Sequence, residues 1–236
     1  MSRDFDGTND SISFGSDASI DDFTQKSVLC WIDPDDSANA TDDLVAKSDG
    51  AALTPTGWQF SRVEVIAVST GHLQFTQDFS AADGTWSTPN NGVPEDALRH
   101  VAVTYDRGDT ANDPNIYIDG SLVAEVETGA PLGASQADAA QNLRVGEDDG
   151  GGNDYDGGMA FLVYDSTLFT AADVNRHKWW GVAPGGPSTV DVWQPMWTDD
   201  LVNKGTATAN GTATGTTTVS LPRVERCWAG TMGVGR

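Results

Sequence analysis

Along most of this chain apolar side chains recur at every second position, the period of a strand with one dry and one wet face. Candidate strands are "SISF" (11–14), "SVLCWI" (27–32), "DLVAKS" (43–48), "WQFSRVEVIAV" (58–68) and "HLQFTQ" (72–77). They continue with "RHVAVTYD" (99–106), "NIYIDG" (115–120), "SLVAEVE" (121–127), "NLRVG" (142–146) and "GMAFLVYD" (158–165). Gly, Pro, Asn and Asp clusters punctuate nearly every gap, as turns require. "YIDGSLV" predicts a tight hairpin, with Asp119-Gly120 supplying two positive φ angles. One helix start is signalled: Thr170 can cap, Asp173 stands three residues later and Phe169 can staple onto Val174. That helix should run to Trp180 and stop at Gly181. Many short strands and one short helix predict an all-β sandwich.

The texture changes after Gly181. "GVAPGGPSTVDVWQPMW" is a Pro/Gly link followed by a Trp-containing strand, and "NKGTATANGTATGTTTVS" is rich in Thr, Ala and Gly. Low complexity favours a flexible tail, while Thr favours strands. The expected division is a sandwich over 1–180 and an ordered C-terminal extension over 181–236, packed on the sandwich or on a neighbouring subunit. Trp193, Trp197 and Trp228 are its candidate partner anchors.

Charge narrows the partners. The formal net charge is −22, from 13 basic and 35 acidic residues. Such a surface repels nucleic acid and is screened at high salt. Abundant Asp with scarce Lys looks like the composition of proteins from halophiles. No apolar run approaches the roughly 18 residues that span a bilayer, so no membrane insertion is expected. "MSRDFDGTND" has no apolar h-region, so no signal peptide is expected either. Cys30, in "VLCWI", reads as a buried free thiol; pairing with Cys227 would require the fold to bring both chain ends together.

From Phe5 to about Arg176 the chain resembles the laminin-G-like, concanavalin-A-like jelly-roll family. "FDGTNDSISF", "FTQKSVLCWIDPDD" with Trp31 and Pro34, "LVAKSDG" and "ALRHVAVTYD" followed by "NIYIDGSLVAEVETG" stand in that family's order and spacing, as does "LRVGEDDGGGNDYDGGMAFLVYDSTLFTAADV". The resemblance implies two antiparallel sheets of about six or seven strands each, packed face to face. It implies binding of glycans, proteins or lipids, often with calcium. Similar domains occur on the particles of tailed viruses, and "VDVWQPMWTDDLVNKGTATANGTATGTTTVSLPRV" resembles the tail following such domains.

The candidate chemistry is sparse. "GEDDGGGNDYDGG" (146–158) gathers Asp148, Asp149, Asn153, Asp154 and Asp156, hard oxygen donors of the kind Ca²⁺ takes. The bland reading is a solvated acidic loop. No EF-hand spacing fits, and the acid that the resemblance implies after "DG" falls at Ala160. Calcium is thus a candidate cofactor but not a required one. Glycosidase relatives would need two carboxyl groups about 5–5.5 Å apart. Here only Glu125 and Glu127 stand two apart on one predicted strand face, without the rest of a catalytic run. His72, His100 and His177 stand apart in sequence, and His100 reads as structural. Trp58 and Trp86, near loops or strand ends, are candidate ligand-stacking residues. Trp31 reads as core, and one of Trp179 and Trp180 should pack inward. Sequons at Asn9, Asn39 and Asn210 carry little weight without a secretion route.

The leading expectation is a non-enzymatic virion structural or surface protein (decoration, turret or fibre-associated) of a tailed virus with a halophilic host. Its place would be the virion surface, and its partners other virion proteins or copies of itself. The alternative is a calcium-dependent adhesion module for a host-surface glycan. A glycoside hydrolase ranks third.

Overall fold

The computed structural model describes residues 2–35, 40–50, 56–65, 70–181, 190–196 and 201–219. Trp197, Trp228, Cys227 and Asn39 lie outside them. In chain order the strands are β1 (Ser2–Asp6), β2 (Ser11–Gly15), β3 (Gln25–Pro34), β4 (Thr41–Ser48), β5 (Gly57–Val65), β6 (Thr70–Gln77), β7 (Gly84–Ser87), β8 (Val93–Pro94) and β9 (Arg99–Asp106). They continue with β10 (Asn115–Ile118), β11 (Ser121–Val123), β12 (Val126–Gly129), β13 (Leu143–Val145), β14 (Asp156–Asp165), β15 (Val192–Gln194), β16 (Thr212–Thr214) and β17 (Thr217–Val219). The helix α1 spans Ala171–Trp180.

Two antiparallel sheets face each other. Sheet A has eight strands in the order β11-β10-β9-β3-β14-β1-β17, with β15 also on β14. Sheet B has nine, in the order β12-β7-β6-β5-β4-β13-β2-β16, with β8 on β6. These sheets are larger than the six or seven strands expected. Short strands supply the difference: β15, β16 and β17 follow the helix and pair onto β14, β2 and β1. The predicted single arm "SLVAEVE" is also corrected. It breaks at Ala124 and Glu125, where the chain crosses from β11 in sheet A to β12 in sheet B. Glu125 therefore lies in the crossing rather than beside Glu127 on a strand.

Alternation does what the pattern demanded. Val28, Cys30 and Ile32 of β3, Val101 and Val103 of β9, and Leu73 and Phe75 of β6 point into one core, with Ile118 packed against it. The Asp119-Gly120 turn closes the β10–β11 hairpin with φ of 51° and 76°, the left-handed pair this two-residue turn needs. On the outer face of sheet A, Leu29, Ala102, Tyr117 and Val163 form a second apolar cluster with Val174 of α1, flanked by Phe169. The helix starts in a capping box between Thr170 and Asp173 and ends at Gly181 in the left-handed region, as its sequence signals predict.

Three expectations about tryptophan are corrected. Trp58 and Trp86 are fully buried, because strand register turns both inward opposite core neighbours: Phe75 pairs with Trp86, and Trp58 packs against Tyr164. Neither ring is available to a ligand. Trp179 and Trp180 are both exposed, at 66% and 53%, since α1 turns Val174 and His177 toward the sheet instead.

Candidate functional site

The loop after β13 is pinned rather than free. Asp149 accepts hydrogen bonds from the Asn142 backbone (2.9 Å), Asn142 Nδ2 (2.7 Å) and Arg144 Nε (2.9 Å). Burial pushes its carboxyl up, but these donors bring it net below the ordinary range. Asp148 is buried, and its Oδ1 accepts from the Gly152 N–H at 3.2 Å. Burial raises this group, while the N–H groups of Gly150, Gly151 and Gly152 work against the rise. Asp154 Oδ1 accepts from the Asn9 N–H across 3.0 Å, and Asp156 begins β14 opposite Asp6. Asp149 and Asp154 thus turn to separate partners.

Asn153 holds the loop to sheet B. Its carbonyl accepts from the Asp43 N–H at 2.7 Å. Its amide Nδ2 donates to Asp43 Oδ2 at 3.2 Å and to Asp148 Oδ2 at 3.3 Å. An N–H donor thus sits between two carboxylates, where a cation would otherwise compensate them. Asp43 is pushed up to about 7, first by burial and then by Asp148, despite a hydrogen bond from Ser61. Among the described residues no three Asp, Glu, His or Cys side chains are grouped to hold a metal. The donor set of this loop, as arranged, does not fit a calcium ion. Adding Ca²⁺ or a chelator should therefore leave the melting temperature unchanged; a saturable rise with Ca²⁺ would show a site that binds only the folded state.

Beyond Asn153 the outer face of sheet B is polar, unlike the helix-covered outer face of sheet A. One row runs Asp43, Ser61, Gln74, Ser87 across four strands. The next runs Gln59, Thr76, Thr85. Gln74 Nε2 donates to Ser87 Oγ at 3.2 Å and Gln59 Nε2 to Asp43 Oδ2 at 3.3 Å. His72 lies on the same face, opposite Val63. Asp43 has no access to a substrate, since its residue is wholly buried.

A concave site lies at one end of sheet A. The β9–β10 connection and the approach to α1 enclose a cleft of about 320 Å³ lined by Asp106, Asn112, Asp113, Asn115, Thr104 and Leu168. That volume falls near the lower bound of small-ligand pockets, roughly 300 Å³. Local turns build the wall: Asp106 Oδ1 accepts from the Gly108 N–H at 2.8 Å, and Asn112 Nδ2 donates to the Asp106 carbonyl at 3.0 Å. Trp86 supports the cleft from behind, donating from Nε1 to Asp113 Oδ1 at 2.9 Å. Leu168, 41% exposed, supplies the apolar surface. Sequence reading missed this cleft, because "DRGDTANDPN" reads only as a polar turn.

The histidines are structural in their placement. His100 Nε2 and His177 Nδ1 are hydrogen-bonded at 2.8 Å inside the sheet A–helix contact, and Trp31, half-buried, meets His100 edge-on. Trp193 is partly buried against the cluster under α1, and its strand pairs with β14. Cys30 is a buried free thiol. Among the described residues no helix is long and apolar enough to cross a membrane.

Solved structures share this architecture at low identity. A heptameric SAP-like pentraxin from Limulus polyphemus matches with a TM-score of 0.54 and 16% identity, over 75% of this chain and 80% of that one. A proposed carbohydrate-binding protein from Bacteroides ovatus matches with a TM-score of 0.62 and 14% identity, over 92% of this chain but only 59% of that one. No curated protein matches the chain by sequence. Two stacked antiparallel sheets, the capped helix on sheet A and a family model matching residues 6–175 lead to one assignment: the chain belongs to the laminin-G-type family of the concanavalin A-like lectin/glucanases superfamily.

Proposed function

We propose that this chain is a non-catalytic glycan-recognition module displayed on the surface of a tailed-virus particle with a halophilic host. The observation that carries the binding half is the cleft. Two amides, two carboxylates and a threonine surround one exposed leucine, a combination that suits a sugar with hydroxyls at its rim and an apolar C–H face. The fold of a proposed carbohydrate-binding protein is consistent with this reading. The display half rests on the charge of −22, which keeps a crowded surface soluble in strong salt, and on the terminal strands. β16 and β17 occupy the edges of both sheets, where a particle protein or a second copy would pair.

A glycan array on the full chain should return specific binding. Asn115→Ala with Leu168→Ser should weaken that binding at least about tenfold, equivalent to about 1.4 kcal/mol. Binding that survives this change and is lost with Gln74→Ala would move the site to the polar face of sheet B. An array with no specific signal would reject the glycan reading, and purified particles lacking the chain would reject the virion setting.

A further inference from the structure

Two polar side chains occupy core-facing positions at one end of the sandwich. On β3 the inward series Val28, Cys30, Ile32 continues back to Lys26, and on β6 the inward series Leu73, Phe75 continues to Gln77. Both residues are fully buried. They come from different sheets, and Lys26 Nζ donates to Gln77 Oε1 at 2.7 Å. Gln77 Nε2 is held by the Gly57 carbonyl at 3.0 Å, so the amide plane is fixed. Asp138, also fully buried, acts on Lys26 through its charge. Its Oδ1 accepts from the Asp22 N–H at 2.8 Å and faces Lys47 Nζ at 3.5 Å. Its Oδ2 is buried without a hydrogen-bond partner.

We propose that Lys26 and Gln77 form an intramolecular isopeptide bond that staples sheet A to sheet B. The amine must be neutral to attack, and burial pushes Lys26 down to about 7, with Asp138 opposing the shift. At neutral pH a large share of the side chain is therefore nucleophilic, unlike a lysine in water. The neutral Nζ attacks Gln77 Cδ, forming a new C–N bond. The C–Nε2 bond breaks, and Nε2 leaves as ammonia. One proton passes from Nζ to the departing nitrogen. Nothing is oxidised or reduced, and no cofactor is consumed. The fixed donor–acceptor contact lowers the entropic barrier. Ammonia escapes to solvent and is protonated there, which draws the reaction forward.

The decisive measurement is the intact mass of the denatured full-length chain. The wild type should be one ammonia lighter than its sequence mass. Tryptic digestion should give a branched peptide joining the Lys26 and Gln77 segments, with no cleavage after Lys26. Lys26→Met and, independently, Gln77→Met should each show their full sequence mass, so failure of one variant to fold leaves the other. A wild-type chain of full mass, cleaved normally after Lys26, would overturn the bond itself.

Discussion

Trp58→Ala should destabilise the fold by about 3–5 kcal/mol, the cost of emptying a large aromatic site in a packed core. Trp58 is wholly buried. Its ring lies 5.4 Å from Tyr164 and 6.4 Å from Phe75, and Lys26 Nζ stands 5.2 Å above it. Those neighbours come from both sheets, so the hole opens between layers that strand pairing holds in place and cannot easily collapse. Denaturant unfolding of the variant should show a lower midpoint with a similar slope. Glycan affinity, measured where the variant is still folded, should be unchanged. A stability loss under about 1 kcal/mol, with binding abolished, would instead return Trp58 to the ligand-stacking role that its place near a strand start suggests.

The contrast between those two roles shows what the residue pattern made legible. Period-two alternation is a statement about faces, so β2, β3, β6, β9 and β10 follow from it, while bulges shift the register inside β4 and β14. The hairpin at Asp119-Gly120 and the helix from Thr170 to Gly181 follow from local chemistry alone. Trp58 and Trp86 depart from expectation because a ring near a strand end can face either way until pairing sets the register. The acidic loop is a related case. Its polar side chains are close in sequence, but Asn9 and Asp43, far along the chain, hold Asp154 and Asn153, while the nearby Asn142 and Arg144 hold Asp149. The cleft depends on residues 104–115 meeting Leu168, a contact no local pattern encodes. Lys26 was within reach: "KSVLCWI" places it in phase with Val28 and Cys30, and a lysine in phase with a core row asks for a buried partner.

His177→Asn should remove a stability loss of about 3 kcal/mol that the wild type suffers between pH 6.5 and pH 4. His100 and His177 are both fully buried and share one hydrogen bond of 2.8 Å. Burial holds His177 down to about 4, with the Phe161 carbonyl opposing the shift. His100 is held well below its ordinary value by burial first, then by His177 and Lys178. The shared bond needs one ring nitrogen to donate and the other to accept. As pH falls through about 6.5 the unfolded chain takes up a proton at His177 that the folded chain refuses until about 4. Protons then favour the unfolded state across that window, so stability is lost as pH falls. Asp43 acts in the opposite sense: its folded carboxyl, raised to about 7, holds a proton between about 7 and its ordinary value that the unfolded chain has released. The raw stability curve sums both, so the readout is the difference between wild type and variant at each pH. Because His177 anchors α1 over Leu29, Ala102 and Val163, its protonation should release the helix first, visible as faster amide exchange at Val174 than in the sheets. A wild-type minus variant difference that stays flat from pH 6.5 to 4 would mean that His177 titrates normally and that the helix contact is open to water.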